Sequence, residues 1–166
     1  GWLAFQFALD YPERLLGIVS MGTGGAKLTK ALKGHSNPNL SEEGIRETLE
    51  LFVVNKDLVT DDLVKLRYQS ALNDTASDRL KEVVAARDRD RTELPLDFER
   101  LAKLDIPVLL IHGMQDHVIP VSRTWEILNT IPHADAHVFS QCGHWSQVER
   151  ADEFNEVVSS YISRRI

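Results

Sequence analysis

The 166-residue sequence predicts an α/β fold with parallel strands covered by helices. Two observations carry this expectation. Short continuous apolar runs with β-branched members, LLGIVSM (15–21) and VLLIHG (108–113), have the pattern of strands buried on both faces. Stretches with helical spacing alternate with them, and that alternation belongs to a parallel sheet with helices on both sides.

Taken in order, GWLAFQFALD (1–10) places Trp2, Phe5 and Leu9 on one helical face. Leu3, Phe7 and Ala8 fill much of the remainder, so this helix is expected to be buried nearly all round. Tyr11-Pro12-Glu13 ends it ahead of the first strand run. The glycine-rich polar stretch 22–38 has no sustained period. Ser41 then precedes Glu42, Glu43 and Gly44, an N-cap with acids in the first turn, and Ile45, Leu49 and Phe52 recur at helical spacing. Thr60-Asp61-Asp62 opens another helix through Leu63, Leu66 and Tyr68, and SDRLKEVVAARDRD (77–90) reads as a third, charged on most of its surface. Residues 40–92 are therefore expected to be consecutive helices with no strand. After VLLIHG come a polar turn, MQDHVIP, and a helix from about Ser122 to Asn129. A third strand follows at Ala136–Ser140, then the loop QCGHWSQVE and a closing helix, EFNEVVSSYISRR (153–165).

A sheet of only three parallel strands leaves two apolar edges unpaired, and an opening helix without a preceding strand has no crossover to belong to. The chain is expected to be the back half of a larger fold.

Composition narrows the class of function. With 43% hydrophobic and 27% charged residues the chain has the balance of a soluble globular protein. Its longest apolar runs are under ten residues, against roughly 20 needed to cross a bilayer. A net charge of −6 with scattered Lys and Arg argues against a nucleic-acid partner. The single cysteine, Cys142, excludes an internal disulfide and a Cys-based zinc cluster, which makes a reducing, cytoplasmic compartment the default. The chain opens without Met, so a leader ahead of Gly1 would not be visible. His112, His117, His133 and His137 lack a metal-ligand spacing on one helix, and no metal or other cofactor is expected.

Two loops carry the chemistry, each at the C-terminal end of a strand. They are Gly113-Met-Gln-Asp116-His117-Val-Ile-Pro120 and Gln141-Cys-Gly143-His144-Trp145. That edge of an open α/β sheet is where ligands bind, and the 28 residues from Asp116 to His144 leave room for one helix and one strand. Taken singly, Asp116 could cap a turn and His144 could be a structural histidine. Together, in this order at successive strand ends, they point to a carboxylate holding the Nδ1 proton of an imidazole whose Nε2 is free to act as a base. Ser20 lies among glycines in GIVSMGTGG but does not suit a nucleophile. Ile18 stands two residues before it, where the strained turn needs a small side chain, and Thr-Gly-Gly after it is a poor helix start.

HGMQDHVIP followed by CGHW resembles the acid and histidine loops of the α/β-hydrolases, whose triad runs in the order Ser, Asp, His. The resemblance covers essentially the whole chain. It implies a division into 1–25, the core helix and strand that follow the nucleophile elbow; 26–95, an inserted helical lid; and 96–166, the core strands with the acid and histidine loops. It also implies that Gly1 is the last glycine of a Gly-x-Ser-x-Gly-Gly elbow, with the serine and the oxyanion-hole residues ahead of this chain.

A narrower resemblance rests on MGTGG, ELFVVNKDLVTDDLVKLR (50–67) and QCGHWSQVERADEFN (141–155). These look like the meta-cleavage-product hydrolases, which break a carbon-carbon bond in 2-hydroxy-6-oxohexa-2,4-dienoate-type products of catechol ring opening. The resemblance implies Asp116 and His144 as catalytic residues. It further implies Arg67 at the carboxylate and enol end of the substrate, with Phe52 and Trp145 beside it. A guanidinium suits that end because it is permanently charged and bidentate. As plain alternatives, Arg67 is a solvated helix residue and the two aromatics are core packing. The implied partners are a small-molecule dienoate, the front half of the same enzyme and a second copy in a homo-oligomer. Two other readings are a carboxylesterase on the same scaffold and a noncatalytic subunit that pairs with a chain carrying the front half.

Overall fold

The computed structural model describes residues 1–23, 41–75 and 96–166. The helix expected over 77–90, and Gly24 and Gly25, lie outside the described residues. Among the described residues three strands, β1 (Ile18–Met21), β2 (Val108–Gly113) and β3 (Ala134–Phe139), form one sheet in the order β1-β2-β3. Both pairings are parallel, with Ile18 opposite Val108 and Val108 opposite Ala134. The helices are α1 (Trp2–Asp10), α2 (Glu42–Phe52), α3 (Asp61–Thr75), α4 (Phe98–Leu101), α5 (Ser122–Leu128), α6 (Ser146–Glu149) and α7 (Ala151–Arg165). None of these is long and apolar enough to cross a membrane.

The central strand β2 is buried at all six positions, as its continuous apolar run requires. Its side chains alternate between two cores. Val108 and Leu110 pack with Phe5 and Ala8 of α1, Leu101 of α4 and Ile127 of α5. Leu109 and Ile111 face the other way, onto Phe139, Cys142 and Tyr161 of α7. A third cluster, Leu49, Val53, Val59 and Val64, holds α2 against α3, and Phe52 and Trp145 pack on it.

Local chemistry starts the helices where the sequence indicates. The Ser41 Oγ accepts a hydrogen bond from the Gly44 N–H (3.1 Å), and the Thr60 Oγ1 accepts one from Leu63 (3.2 Å). Arg46 ties α2 to the start of α3 through the Val59 carbonyl (2.9 Å) and the Asp61 carboxylate.

Four apolar side chains depart from their expected burial, Leu3, Leu16, Met21 and Leu66. Leu3 is 73% exposed and Leu66 is 66% exposed. Each lies two positions from a buried residue, Phe5 and Val64, and two positions are about 200° of rotation on a helix. Each therefore points away from the core its neighbour fills. Strand β1 begins at Ile18 rather than Leu15, because the chain first makes a turn of 3-10 helix, Pro12–Arg14, and Leu16 is left outside at 78% exposure. The third strand starts two residues earlier than expected, at Ala134.

Replacing Leu110, 1% exposed at the centre of β2, with Ala is expected to cost about 2–5 kcal/mol. Leu66→Ala, at a side chain 66% exposed on α3, is expected to change stability by less than about 0.5 kcal/mol. Urea denaturation of the two variants measures the contrast.

Candidate active site

The loops that leave β2 and β3 are joined along their length. The Met114 N–H donates to the Phe139 carbonyl (2.8 Å) and the Gln115 N–H to that of Cys142 (2.9 Å). The Gln115 Oε1 in turn accepts from the Cys142 N–H (3.1 Å). A Cβ on Gly113 would lie 2.0 Å from the Gly143 carbonyl oxygen, so the crossing of the loops has space only for glycine. The consequence is that Asp116 and His144 meet, with His144 Nδ1 2.7 Å from Asp116 Oδ2.

The Asp116 side chain is wholly buried and surrounded by donors. Its Oδ1 accepts the backbone N–H groups of Val118 (2.7 Å) and Ile119 (2.9 Å). Oδ2 faces His144 Nδ1 and, at 3.2 Å, the Nε2 of the equally buried His112. Burial alone would raise the carboxyl pKa, but the hydrogen bonds from His112, His144 and the Ile119 amide outweigh it and hold the group well below the usual carboxylate range. An ionised carboxylate only accepts, so the proton of His144 sits on Nδ1 and its Nε2 presents a lone pair. The His144 side chain is 24% exposed whereas that of Asp116 is closed off.

Of the aromatic residues singled out in the sequence, Phe52 lies beside this histidine and Trp145 lies against Phe52. The Phe52 ring centroid is 5.5 Å from that of His144 and 5.3 Å from that of Trp145. Arg67 is exposed on α3. Ser20 is 3% exposed within β1, where its hydroxyl bonds Thr23. Cys142 is fully buried, and burial, reinforced by the Glu149 carboxylate, pushes its thiol up to about 12. It remains a thiol at neutral pH.

Sequence reasoning missed one member of the site, His112. The sequence offers His112 only as a metal-ligand candidate, without a ligand spacing. In the structure its Nε2 is 2.9 Å from the Ile119 carbonyl and its Nδ1 is 2.7 Å from Thr124 Oγ1, so it braces the turn around Asp116. Its position before Gly113, four residues ahead of the acid, is the only signal the sequence carries. Gly22 takes a left-handed backbone (φ 48°), and a Cβ there would be 2.9 Å from His144 Nδ1. It closes the pair from the β1 side, at the first of the glycines, Gly22 to Gly25, that the sequence reading puts along the pocket.

A family model described as the alpha/beta hydrolase fold matches residues 1–151. The chain belongs to the α/β-hydrolase family. Among curated relatives of this α/β-hydrolase chain, the 2-hydroxy-6-oxononadienedioate/2-hydroxy-6-oxononatrienedioate hydrolase of Burkholderia vietnamiensis is 32% identical, over 99% of this chain and 59% of the relative. The 2-hydroxymuconate semialdehyde hydrolase of Pseudomonas putida is 31% identical, over 98% and 59%. A solved meta-cleavage product hydrolase from Pseudomonas fluorescens IP01 superposes with a TM-score of 0.86 at 32% identity, over 98% of this chain and 61% of that one. The chain thus spans about 60% of the length of these relatives.

The depressed carboxyl sets a pH dependence. In the unfolded chain Asp116 takes up its proton near its ordinary value of about 4, whereas the folded protein resists protonation to lower pH. Its contribution to stability is therefore complete above about pH 5 and is lost as pH falls through the folded value. Thermal melts between neutral and acidic pH should show Asp116→Asn with a shallower acid decline than wild type.

Proposed function

We propose that the protein hydrolyses a carbon-carbon bond in a 2-hydroxy-6-oxohexa-2,4-dienoate-type ring meta-cleavage product. In this reading Asp116 and His144 complete a triad whose serine and oxyanion hole are carried by a front half ahead of Gly1. The observation that supports it most is the buried Asp116 carboxylate 2.7 Å from His144 Nδ1, with the Phe52 ring beside that imidazole and the Trp145 ring against Phe52. The names of the relatives support the substrate class.

The roles follow from the chemistry. Arg67 holds the anionic carboxylate and enol end while the dienol becomes its keto form, which moves one proton from the enol oxygen to carbon. His144 takes a proton through Nε2 as an oxygen nucleophile adds to the distal ketone, and Asp116 keeps the imidazole in the required tautomer. Collapse of the adduct breaks the carbon-carbon bond, its electron pair passes along the chain to the keto oxygen, and that oxygen takes the proton held by His144; with one water consumed overall, the products are a carboxylic acid and a 2-hydroxypentadienoate. Phe52 and Trp145 pack against the hydrocarbon part of the substrate. Residues 26–95 serve as the lid over a core made by 1–25 and 96–166. The exposed Leu16 and Met21, beside and within β1, are surfaces for the front half to cover. The reaction uses no cofactor, and the enzyme is read as cytoplasmic and homo-oligomeric.

Turnover of a ring-cleavage dienoate against a simple aryl ester, measured on the protein with its front half in place, tests the assignment. Faster cleavage of the dienoate is expected, and faster hydrolysis of the ester would overturn it. Arg67→Lys should lower kcat/KM on the dienoate by about tenfold or more, because an ammonium does not reproduce the bidentate contact.

A further inference from the structure

Outside the Asp116–His144 pair, another carboxylate gathers donors from distant parts of the chain. The Glu149 side chain at the end of α6 reaches the segment that leaves α2. Its Oε1 accepts the N–H groups of Val54 (2.6 Å) and Asn55 (2.9 Å). Its other oxygen, Oε2, accepts the N–H of Gly143, the residue before His144. A backbone bond runs alongside, from the Trp145 N–H to the Phe52 carbonyl (3.1 Å). The two segments touch so closely that a Cβ on Gly143 would lie 2.6 Å from that same carbonyl oxygen and 3.1 Å from Val53 Cα.

We infer that Glu149 is a positioning residue that fixes the helical lid and the histidine loop to one another, so that Phe52 and the imidazole of His144 keep a single relative placement. Its two oxygens have separable tasks. Oε1 holds the lid segment 54–55, and Oε2 holds the backbone that carries His144. A carboxylate suits both because it accepts at each oxygen and donates at neither. Hydrogen bonds to a charged acceptor are roughly twice as strong as neutral ones, which suits a joint between segments about 90 residues apart in sequence. The role concerns the reaction proposed above and rests on that reading.

The separation of tasks makes the inference testable in the protein with its front half in place. Glu149→Gln keeps an amide oxygen for Val54 and Asn55 but turns an NH2 toward the Gly143 N–H. It should lower kcat on the dienoate by about tenfold with KM within about twofold of wild type. Glu149→Ala releases both segments and should raise KM by about tenfold in addition. In both variants the low-field proton resonance of the His144–Asp116 hydrogen bond should shift or broaden. In Glu149→Ala the amides of Val54 and Asn55 should exchange faster with solvent. Variants that melt at a lower temperature but keep wild-type kcat, KM and low-field resonance would overturn the inference and leave Glu149 a purely structural staple. If wild type leaves the dienoate intact while the resonance and the exchange still respond to the substitutions, the coupling stands and the reaction assignment falls.

Discussion

The burial of the Asp116 carboxylate is the constraint that the arrangement around it answers. A charge removed from water is tolerated only where donors replace its hydration shell, and here they come from three separate places. Val118 and Ile119 supply backbone N–H groups from the turn itself, His112 supplies Nε2 from β2, and His144 supplies Nδ1 from the loop after β3. Such a set assembles only if β2 and β3 lie side by side in parallel register, with Gly113 opposite Phe139, so that both loops emerge at one edge. The contact of Gly113 with the Gly143 carbonyl and the two bonds of Gln115 to Cys142 are the local form of that requirement.

The same loop reaches the helices α2 and α3. Trp145 follows His144 directly, and its indole packs on the cluster of Leu49, Val53, Val59 and Val64 that joins those helices. One short peptide, Cys142 to Trp145, thereby touches three bodies of packing: Cys142 in the core under α7, His144 against the buried carboxylate, and Trp145 against α2 and α3. Small displacements of this peptide move all of these contacts together, because packed interiors have little free volume to absorb them.

What the sequence revealed divides along the range of the interactions. Strand β2 and the cap at Ser41 were legible because each is decided within a few residues, by a continuous apolar run in one case and by a hydroxyl three residues from its donor in the other. The meeting of Asp116 and His144 was legible because topology brings consecutive strand ends to one edge. The exposure of Leu3 and Leu66 was not. Periodicity gives the angle between side chains on a helix but does not say how wide a face its neighbours cover. His112 and Glu149 were missed for a related reason. Both are defined by partners that only the folded chain supplies, Thr124 and the Ile119 carbonyl for the one, and the 54–55 backbone for the other.

The geometry also distinguishes between the two histidines that share Asp116 Oδ2. His112 Nε2 faces two acceptors, the carboxylate at 3.2 Å and the Ile119 carbonyl at 2.9 Å, so that nitrogen carries the proton. Its lone pair at Nδ1 is taken up by the Thr124 hydroxyl, and the ring is sealed from solvent. His144 meets the same oxygen through Nδ1 and is therefore held in the opposite tautomer, with its lone pair at Nε2. No bond to Nε2 is present among the described residues, and this is the imidazole with a partly exposed side chain. One carboxylate oxygen thus orients two imidazoles, and only one of them has a nitrogen left with which to accept a proton from outside.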